Sequence, residues 1–146
     1  MKNRTTTESQ PPTPCEALHD GISLALVAGI RLGLLPGITV AYMRTATADQ
    51  IGSSLSLRRQ RQACEDYTRH LGQRLSAIYC DVGVSGLSER RPELDQLMRD
   101  LSLGHISHVM IADPDRLARD RELEKRLQAR IRSKGATISS PCDSRL

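Results

Sequence analysis

The chain has 146 residues, enough for one domain with its own hydrophobic core, and carries a net charge of +4 with a pI near 9.1. This basic balance permits an anionic partner such as nucleic acid without requiring one. Because the sequence has three tyrosines and neither tryptophan nor phenylalanine, it argues against the aromatic stacking platform of a single-strand-binding protein.

The spacing of the four cysteines bears on metal binding and on the redox compartment of the protein. Cys15, Cys64, Cys80 and Cys142 form no C-x-x-C pair, and no histidine lies at ligand spacing from them. This pattern argues against a zinc site and against a secreted disulfide framework. We therefore expect free thiols, no bound metal and a reducing, cytoplasmic location.

Residues 1–37 are predicted to be a disordered or irregular N-terminal extension. Residues 1–15 are polar and rich in threonine and proline. The apolar stretch 21–35 is interrupted by glycine and arginine and is shorter than the roughly 18 uninterrupted residues of a membrane span, so we expect no membrane anchor. An apolar repeat in this stretch favours one short helix, through Ile22, Leu26, Ile30 and Leu34.

From Ile38 onward, short β-rich runs alternate with amphipathic segments, which is typical of βαβ units. We predict a three-layer α/β fold with a mostly parallel sheet of four to five strands and helices on both faces. The predicted strands are Ile38–Arg44, Leu75–Asp81, Ser107–Ala112 and Ala136–Ser139. Residues 38–139 would form the domain and residues 140–146 a C-terminal tail.

Three amphipathic helices are predicted between these strands. The second begins at Pro92 and ends before Gly104, and the third begins at Asp120 and ends at Gly135. The first ends at Gly72 and has an inward face formed by Leu57, Gln60, Cys64, Tyr67 and Leu71. A buried amide needs partners, so Gln60 either points into a polar site at the sheet edge or lies at the margin of the apolar face.

The stretch Asp113–Asp120, D-P-D-R-L-A-R-D, follows the third predicted strand. Open α/β sheets bind ligands at the carboxyl ends of their strands. On the first turn of a helix, Arg116 and Arg119 would share a face and present guanidinium groups suited to phosphate. Asp115 could orient a guanidinium group or handle a proton. The alternative is a solvated cluster of arginine and aspartate that caps a helix.

Five short motifs extend this observation along the chain. They are Y-M-R-T-A-T from Tyr42, S-L-R-R-Q from Ser56, V-S-G from Val84, R-P-E-L from Arg91 and D-R-L-A-R from Asp115. In this order and spacing, residues 38–139 resemble the catalytic domain of the serine recombinases, the resolvase and invertase family. The alternative, an unrelated doubly wound nucleotide-binding domain, would need a glycine-rich phosphate loop, which the sequence lacks.

The resemblance implies a site-specific recombinase that breaks and rejoins double-stranded DNA through a phosphoserine intermediate, with no metal and no cofactor. Arginines must then offset the charge of the pentacoordinate phosphorane. By matching motifs, the resemblance implies that Arg44, Arg116 and Arg119 hold the scissile phosphate and that Arg91 assists them. It implies that Asp115 orders the arginines or handles a proton. Gln60 and Ser85 would supply hydrogen bonds. Gln50 is a weaker match, in a loop that we expect to include Gly52–Ser54.

Ala46 stands where the family pattern Y-x-R-x-S has its nucleophilic serine. A methyl group cannot attack phosphorus, so we expect a cleavage-deficient chain, either a natural one or one with a replaced nucleophile. Rescue by Thr45 or Thr47 would require a changed turn, because successive side chains on a strand point to opposite faces.

A second departure is length, because the 146 residues include no long dimerising helix after the domain and no DNA-reading domain. We expect contact with the DNA backbone within a homodimer or higher oligomer, or within a hetero-assembly with a full-length recombinase. The alternative function is a non-catalytic module that regulates an active recombinase by such assembly.

Overall fold

The structure is a computed structural model that describes residues 32, 34, 36–46, 50–88 and 90–142. Of the predicted N-terminal extension, only residues 32, 34, 36 and 37 are described. Most of its expected short helix therefore lies outside the described residues. Thr47 and residues 143–146 are likewise outside them. Within the described part of the chain, no helix is both long and apolar enough to cross a bilayer.

Strands and helices alternate along the described chain. The strands are β1 (Ile38–Arg44), β2 (Leu75–Asp81), β3 (Ile106–Ile111) and β4 (Thr137–Ser139). The helices are α1 (Gln50–His70), α2 (Pro92–Leu101), the single turn α3 (Pro114–Leu117) and α4 (Arg121–Ser133). The predicted α/β class is confirmed: the described strands form one four-stranded parallel sheet.

The sheet has the strand order β2-β1-β3-β4, which places β1 and β3 side by side in its centre. The chain leaves β1 through α1 on one face, and it leaves β3 through α3 and α4 on the opposite face. The carboxyl ends of β1 and β3 therefore flank a topological switch point, the position where open α/β sheets form a ligand crevice.

Two apolar layers enclose the sheet. The larger joins one face of the sheet to α2, α3 and α4, with Leu97 and Ile131 fully buried. The smaller packs Cys64 of α1 against Met43 and Met110 on the other face. Burial raises the pKa of the Cys64 thiol to about 12, so this thiol stays protonated and packs as an apolar group.

The predicted strand bounds agree with the structure closely, and β1 and β2 agree at both ends. The predicted loop at residues 50–54 is wrong, because α1 already begins at Gln50. Gly52 and its serine neighbours are weak helix formers, but the helix propagates into them from its amphipathic part. Leu71 also differs from the prediction, since it follows the end of α1 and is exposed.

The predicted shared helical face of Arg116 and Arg119 is wrong as well. Helix α3 ends at Leu117, and Ala118 is extended, with φ −158° and ψ 149°. Asp120 accepts a hydrogen bond from the Leu123 amide at 2.7 Å and caps α4. Because an N-cap residue has non-helical backbone angles, the chain leaves the helical conformation before α4 begins. Arg119 therefore lies on the connecting segment rather than on a turn with Arg116.

Candidate active site

Arg44, the last residue of β1, is completely buried although its side chain is charged. Its guanidinium group donates hydrogen bonds to three backbone carbonyl oxygens, those of Val84 (2.9 Å), Asp115 (2.9 Å) and Arg116 (3.2 Å). The first carbonyl belongs to the β2–α2 loop and the other two to α3. Arg44 therefore joins the two loops that follow β2 and β3.

Arg91, the residue before α2, is also buried and also donates hydrogen bonds to the segment after β3. Its Nη2 donates to the carbonyl oxygens of Arg116 and Leu117. Its Nε and Nη2 donate to the Tyr42 hydroxyl at 3.2 and 2.9 Å, and its guanidinium carbon lies 5.3 Å from the centre of the Tyr42 ring. The two buried arginines thus share the carbonyl oxygen of Arg116 as an acceptor.

Asp81 completes this buried network and was not among the predicted site residues. It accepts hydrogen bonds from the Tyr42 hydroxyl at 2.9 Å and from the amides of Glu93 and Leu94 at 3.0 and 3.2 Å. It thereby caps α2, whose own N-cap residue, Arg91, makes no side-chain cap. The signal in the sequence is an arginine at a helix start, where a short polar acceptor is usual.

Gln60 lies inside the apolar stripe of α1, and the structure favours the first of its two predicted interpretations. Its Oε1 accepts from the Arg44 amide at 3.1 Å. Its Nε2 donates to the Arg44 carbonyl at 3.0 Å and to the Ser56 hydroxyl at 3.1 Å. The amide group is therefore directed at the carboxyl end of β1, where it fixes the backbone of Arg44.

Arg116 and Arg119 remain accessible, in contrast to the two buried arginines. Their side chains are 27% and 52% exposed. Arg116 pairs with Asp113 at 3.1 Å, and Arg119 pairs with Asp115 at 3.6 Å. The predicted orienting partner, Asp115, thus contacts one of the two arginines. Weak pairs at an exposed site cost little to exchange for a phosphate.

Ala46 lies two residues beyond Arg44 and is exposed. Its neighbour Thr45 is buried, and the Thr45 hydroxyl accepts a hydrogen bond from the Gly83 amide at 3.3 Å. That hydroxyl faces the β2–α2 loop, which argues against a nucleophilic role for Thr45. Thr47, the other candidate for rescue, lies outside the described residues.

Ser85 and Gly86 form the turn that covers Arg44. Ser85 is exposed, and its hydroxyl accepts from the Leu87 amide at 3.2 Å. A Cβ at Gly86 would lie 2.9 Å from Nη2 of Arg44 and 3.0 Å from Cγ of Arg119. A side chain at this position would therefore force the side chains of Arg44 and Arg119 to shift.

Electrostatic interactions connect these groups. Burial lowers the pKa of Arg44, and the nearby charges of Arg91, Arg119 and Arg116 lower it further. Arginine keeps its charge despite such shifts, so this edge of the sheet concentrates positive charge. Burial also raises the pKa of the Tyr42 hydroxyl, which therefore remains protonated and donates to Asp81.

Comparison with known proteins identifies the class that this fold and this edge of the sheet define, the catalytic domain of a serine recombinase. The family whose description is "Resolvase, N terminal domain" matches residues 39–145. This match covers well over half of the chain, so the chain belongs to the resolvase family. Serine recombinases act on DNA and typically form oligomers.

One curated relative shares about a third of its residues with this chain over the aligned region. A putative DNA recombinase of Bacillus subtilis (strain 168) is 36% identical over 108 residues, which are 68% of this chain and 21% of that protein. The chain thus spans about a fifth of the length of this curated relative.

Solved structures share the fold. The N-terminal catalytic domain of TP901-1 integrase superposes with a TM-score of 0.67 at 24% identity, over 73% of this chain and 79% of that one. A resolvase family site-specific recombinase from Streptococcus pneumoniae gives 0.62 at 21% identity, over 73% of each chain.

Proposed function

We propose that this chain is a DNA-binding recombinase catalytic domain that retains the phosphate-binding arginines and has lost strand cleavage because Ala46 replaces the nucleophile. The observation that carries this proposal is the convergence of four arginines, Arg44, Arg91, Arg116 and Arg119, on the carboxyl ends of β1 and β3 beside Ala46. No hydroxyl group is available at position 46 to attack a phosphodiester.

The different accessibility of these arginines supports different roles for them. Arg116 and Arg119 meet the scissile phosphate, because Arg116 is partly exposed, Arg119 is exposed, and among the described residues both pair with neighbouring carboxylates. Arg91 holds the backbone from which they project. Arg44 is covered by the turn at Gly86 in this conformation, so it reaches a phosphate only after that turn moves. In such a complex, Gln60 acts by positioning Arg44, and Ser85 lies exposed at the margin of the site.

A second candidate rests on Ala46 as well. A domain of this family that binds DNA without cutting it would act as a regulatory subunit, in a mixed assembly with a full-length recombinase in the cytoplasm. Val82 and Leu87, two exposed apolar residues of the β2–α2 loop, supply surface for such a contact. Co-purification with an intact relative would favour this candidate, and strictly monomeric behaviour would count against it.

The test of lost cleavage is to restore the hydroxyl group with Ala46→Ser. The chain is incubated with a labelled pool of random-sequence DNA duplexes, and covalent protein–DNA adducts are detected on denaturing gels. We expect no adduct with the unmodified chain and a phosphoserine-linked adduct with Ala46→Ser.

The matched control is the double variant Ala46→Ser, Arg116→Gln, which has the nucleophile but lacks one phosphate-binding arginine. We expect its initial rate of adduct formation to fall by about two orders of magnitude, the typical cost of removing one transition-state donor. An Ala46→Ser protein that binds the duplexes but forms no adduct would show that more than the hydroxyl group is missing.

A further inference from the structure

A cavity of about 370 Å³ lies between the first turns of α1 and the segment after β3. Its polar walls are Ser56, Arg59 and Gln60 on α1 and Asp113 and Arg116 on the other side, and Leu55 contributes an apolar wall. Its volume falls within the usual range of ligand sites, about 300–1,000 Å³. Arg116 is shared with the site described above, so the cavity and that site are contiguous.

The position of the cavity in the fold is the first argument that it binds a ligand. One wall comes from the helix that follows β1, and the other from the residues that directly follow β3. These are the two neighbouring strands whose connections leave on opposite faces of the sheet. Parallel sheets form their ligand crevices at this position.

The charges of the walls indicate an anion. Arg59 is exposed and makes no ion pair or side-chain hydrogen bond with any residue in the described ranges. Asp113 is the one acidic group on the walls, and its Oδ2 is engaged by Arg116 at 3.1 Å. Its Oδ1 has no donor among the described residues. An anion would therefore avoid the Asp113 side and lie against Arg59.

The remaining walls indicate a sugar–phosphate rather than a base. No aromatic side chain lines the cavity to stack on a base. Leu55 and the small residues beside it suit the apolar face of a deoxyribose, and Ser56 carries a hydroxyl group that can bind a phosphate oxygen.

We propose that this cavity holds the sugar–phosphate unit of DNA next to the scissile phosphate and that Arg59 is its phosphate ligand. This inference rests on the proposed function, because it extends the same DNA contact by one backbone unit. Arg59 occupies a variable position of the S-L-R-R-Q motif, to which the family resemblance assigns no role, and the geometry of the cavity is what singles it out.

The test compares two neighbouring arginines. Arg58 and Arg59 are both exposed on α1, but only Arg59 lines the cavity. Binding of a fluorescein-labelled duplex of arbitrary sequence is measured by anisotropy over a series of potassium chloride concentrations. A plot of log K against log salt concentration has a negative slope, and each lost phosphate contact makes this slope shallower by about 0.9. We expect this change for Arg59→Gln and a clearly smaller one for Arg58→Gln.

A third variant, Arg119→Gln, separates this inference from the proposed function. If the unmodified chain does not bind the duplex, the proposed function fails and the cavity inference fails with it. If Arg119→Gln makes the salt slope shallower while Arg59→Gln has the same slope as Arg58→Gln, the cavity inference alone is overturned. It is also overturned if Arg59→Gln changes self-association in sedimentation velocity and leaves the salt slope unchanged, because the cavity would then be a protein contact.

Discussion

The buried pair of arginines, Arg44 and Arg91, and the exposed pair, Arg116 and Arg119, occupy the same edge of the sheet but use their guanidinium groups differently. The buried pair donates to backbone carbonyl groups and the Tyr42 hydroxyl, all within the domain. Among the described residues, the guanidinium groups of the exposed pair bind carboxylates on their own segment. The difference shows that a cluster of one residue type can contain both the support of a site and its contact surface.

The physical basis of the comparison is desolvation. A guanidinium group taken out of water needs acceptors in place of its hydration. Arg44 finds them on segments remote in sequence, and Arg91 does so through its Nε and Nη2. An exposed guanidinium group keeps its hydration and exchanges it readily for a phosphate. Substitutions in the buried pair should therefore affect folding, and substitutions in the exposed pair should affect DNA binding.

The largest expected effect is that of Arg91→Met. This change leaves the carbonyl oxygens of Arg116 and Leu117 buried without that donor, so we expect the free energy of unfolding to fall by about 3 kcal/mol. Urea denaturation followed by circular dichroism measures it. A loss below about 1 kcal/mol would contradict the supporting role of the buried pair.

Gly86→Ala should have the next largest effect. The added methyl group would overlap the guanidinium group of Arg44 and the side chain of Arg119, and such overpacking costs about 1–3 kcal/mol. The same denaturation experiment measures the loss. Ser85→Ala, one residue earlier and exposed, is the control and should change stability by less than about 0.5 kcal/mol. Equal effects of the two variants would mean that the turn does not press on Arg44.

His108 extends the comparison to a buried basic group that can lose its charge. Burial lowers its pKa, and its ring nitrogens contact the Gln73 amide oxygen at 3.1 Å and the Ser139 hydroxyl at 2.9 Å. With Nδ1 donating to Gln73 and Nε2 accepting from Ser139, a neutral ring is fully satisfied.

Because the folded state disfavours the proton, His108 contributes stability at pH values above the ordinary histidine pKa of about 6.5. That contribution is lost as the pH falls from there toward the lowered pKa, by at most about 1.4 kcal/mol per pH unit. Denaturation midpoints from pH 8 to pH 5 should therefore fall less steeply in His108→Gln. His70→Gln is the control, since His70 is exposed. Equal pH profiles for His108→Gln and the unmodified chain would refute this prediction.

The smallest effect on stability is expected for Arg119→Gln. Its pair with Asp115 is long and exposed, so the free energy of unfolding should change by less than about 0.5 kcal/mol. Thermal unfolding of Arg119→Gln and Arg91→Met under the same conditions compares the stability losses of the two variants directly. A loss comparable to that of Arg91→Met would abolish the distinction between the two pairs.

Much of this architecture was predictable from local patterns. The apolar runs placed β1 and β2 correctly, Pro92 and Asp120 marked the starts of α2 and α4, and Gly72 and Gly135 follow α1 and α4 with φ of 69° and 86°. Such signals depend on neighbours in sequence. The break at Ala118 and the capping of α2 by Asp81 were missed, because each depends on groups outside the local pattern.

The amino-acid sequence by itself determined the alternation of strands and helices, the order of the motifs and the absence of a hydroxyl group at Ala46, since these follow from residue type and spacing. Only the tertiary structure decided which arginines are buried and which are accessible. The reason is that most acceptors of Arg44 and Arg91 are backbone carbonyl groups, which every residue carries and which no sequence pattern distinguishes. They become specific partners only when the sheet brings the loops after β2 and β3 together.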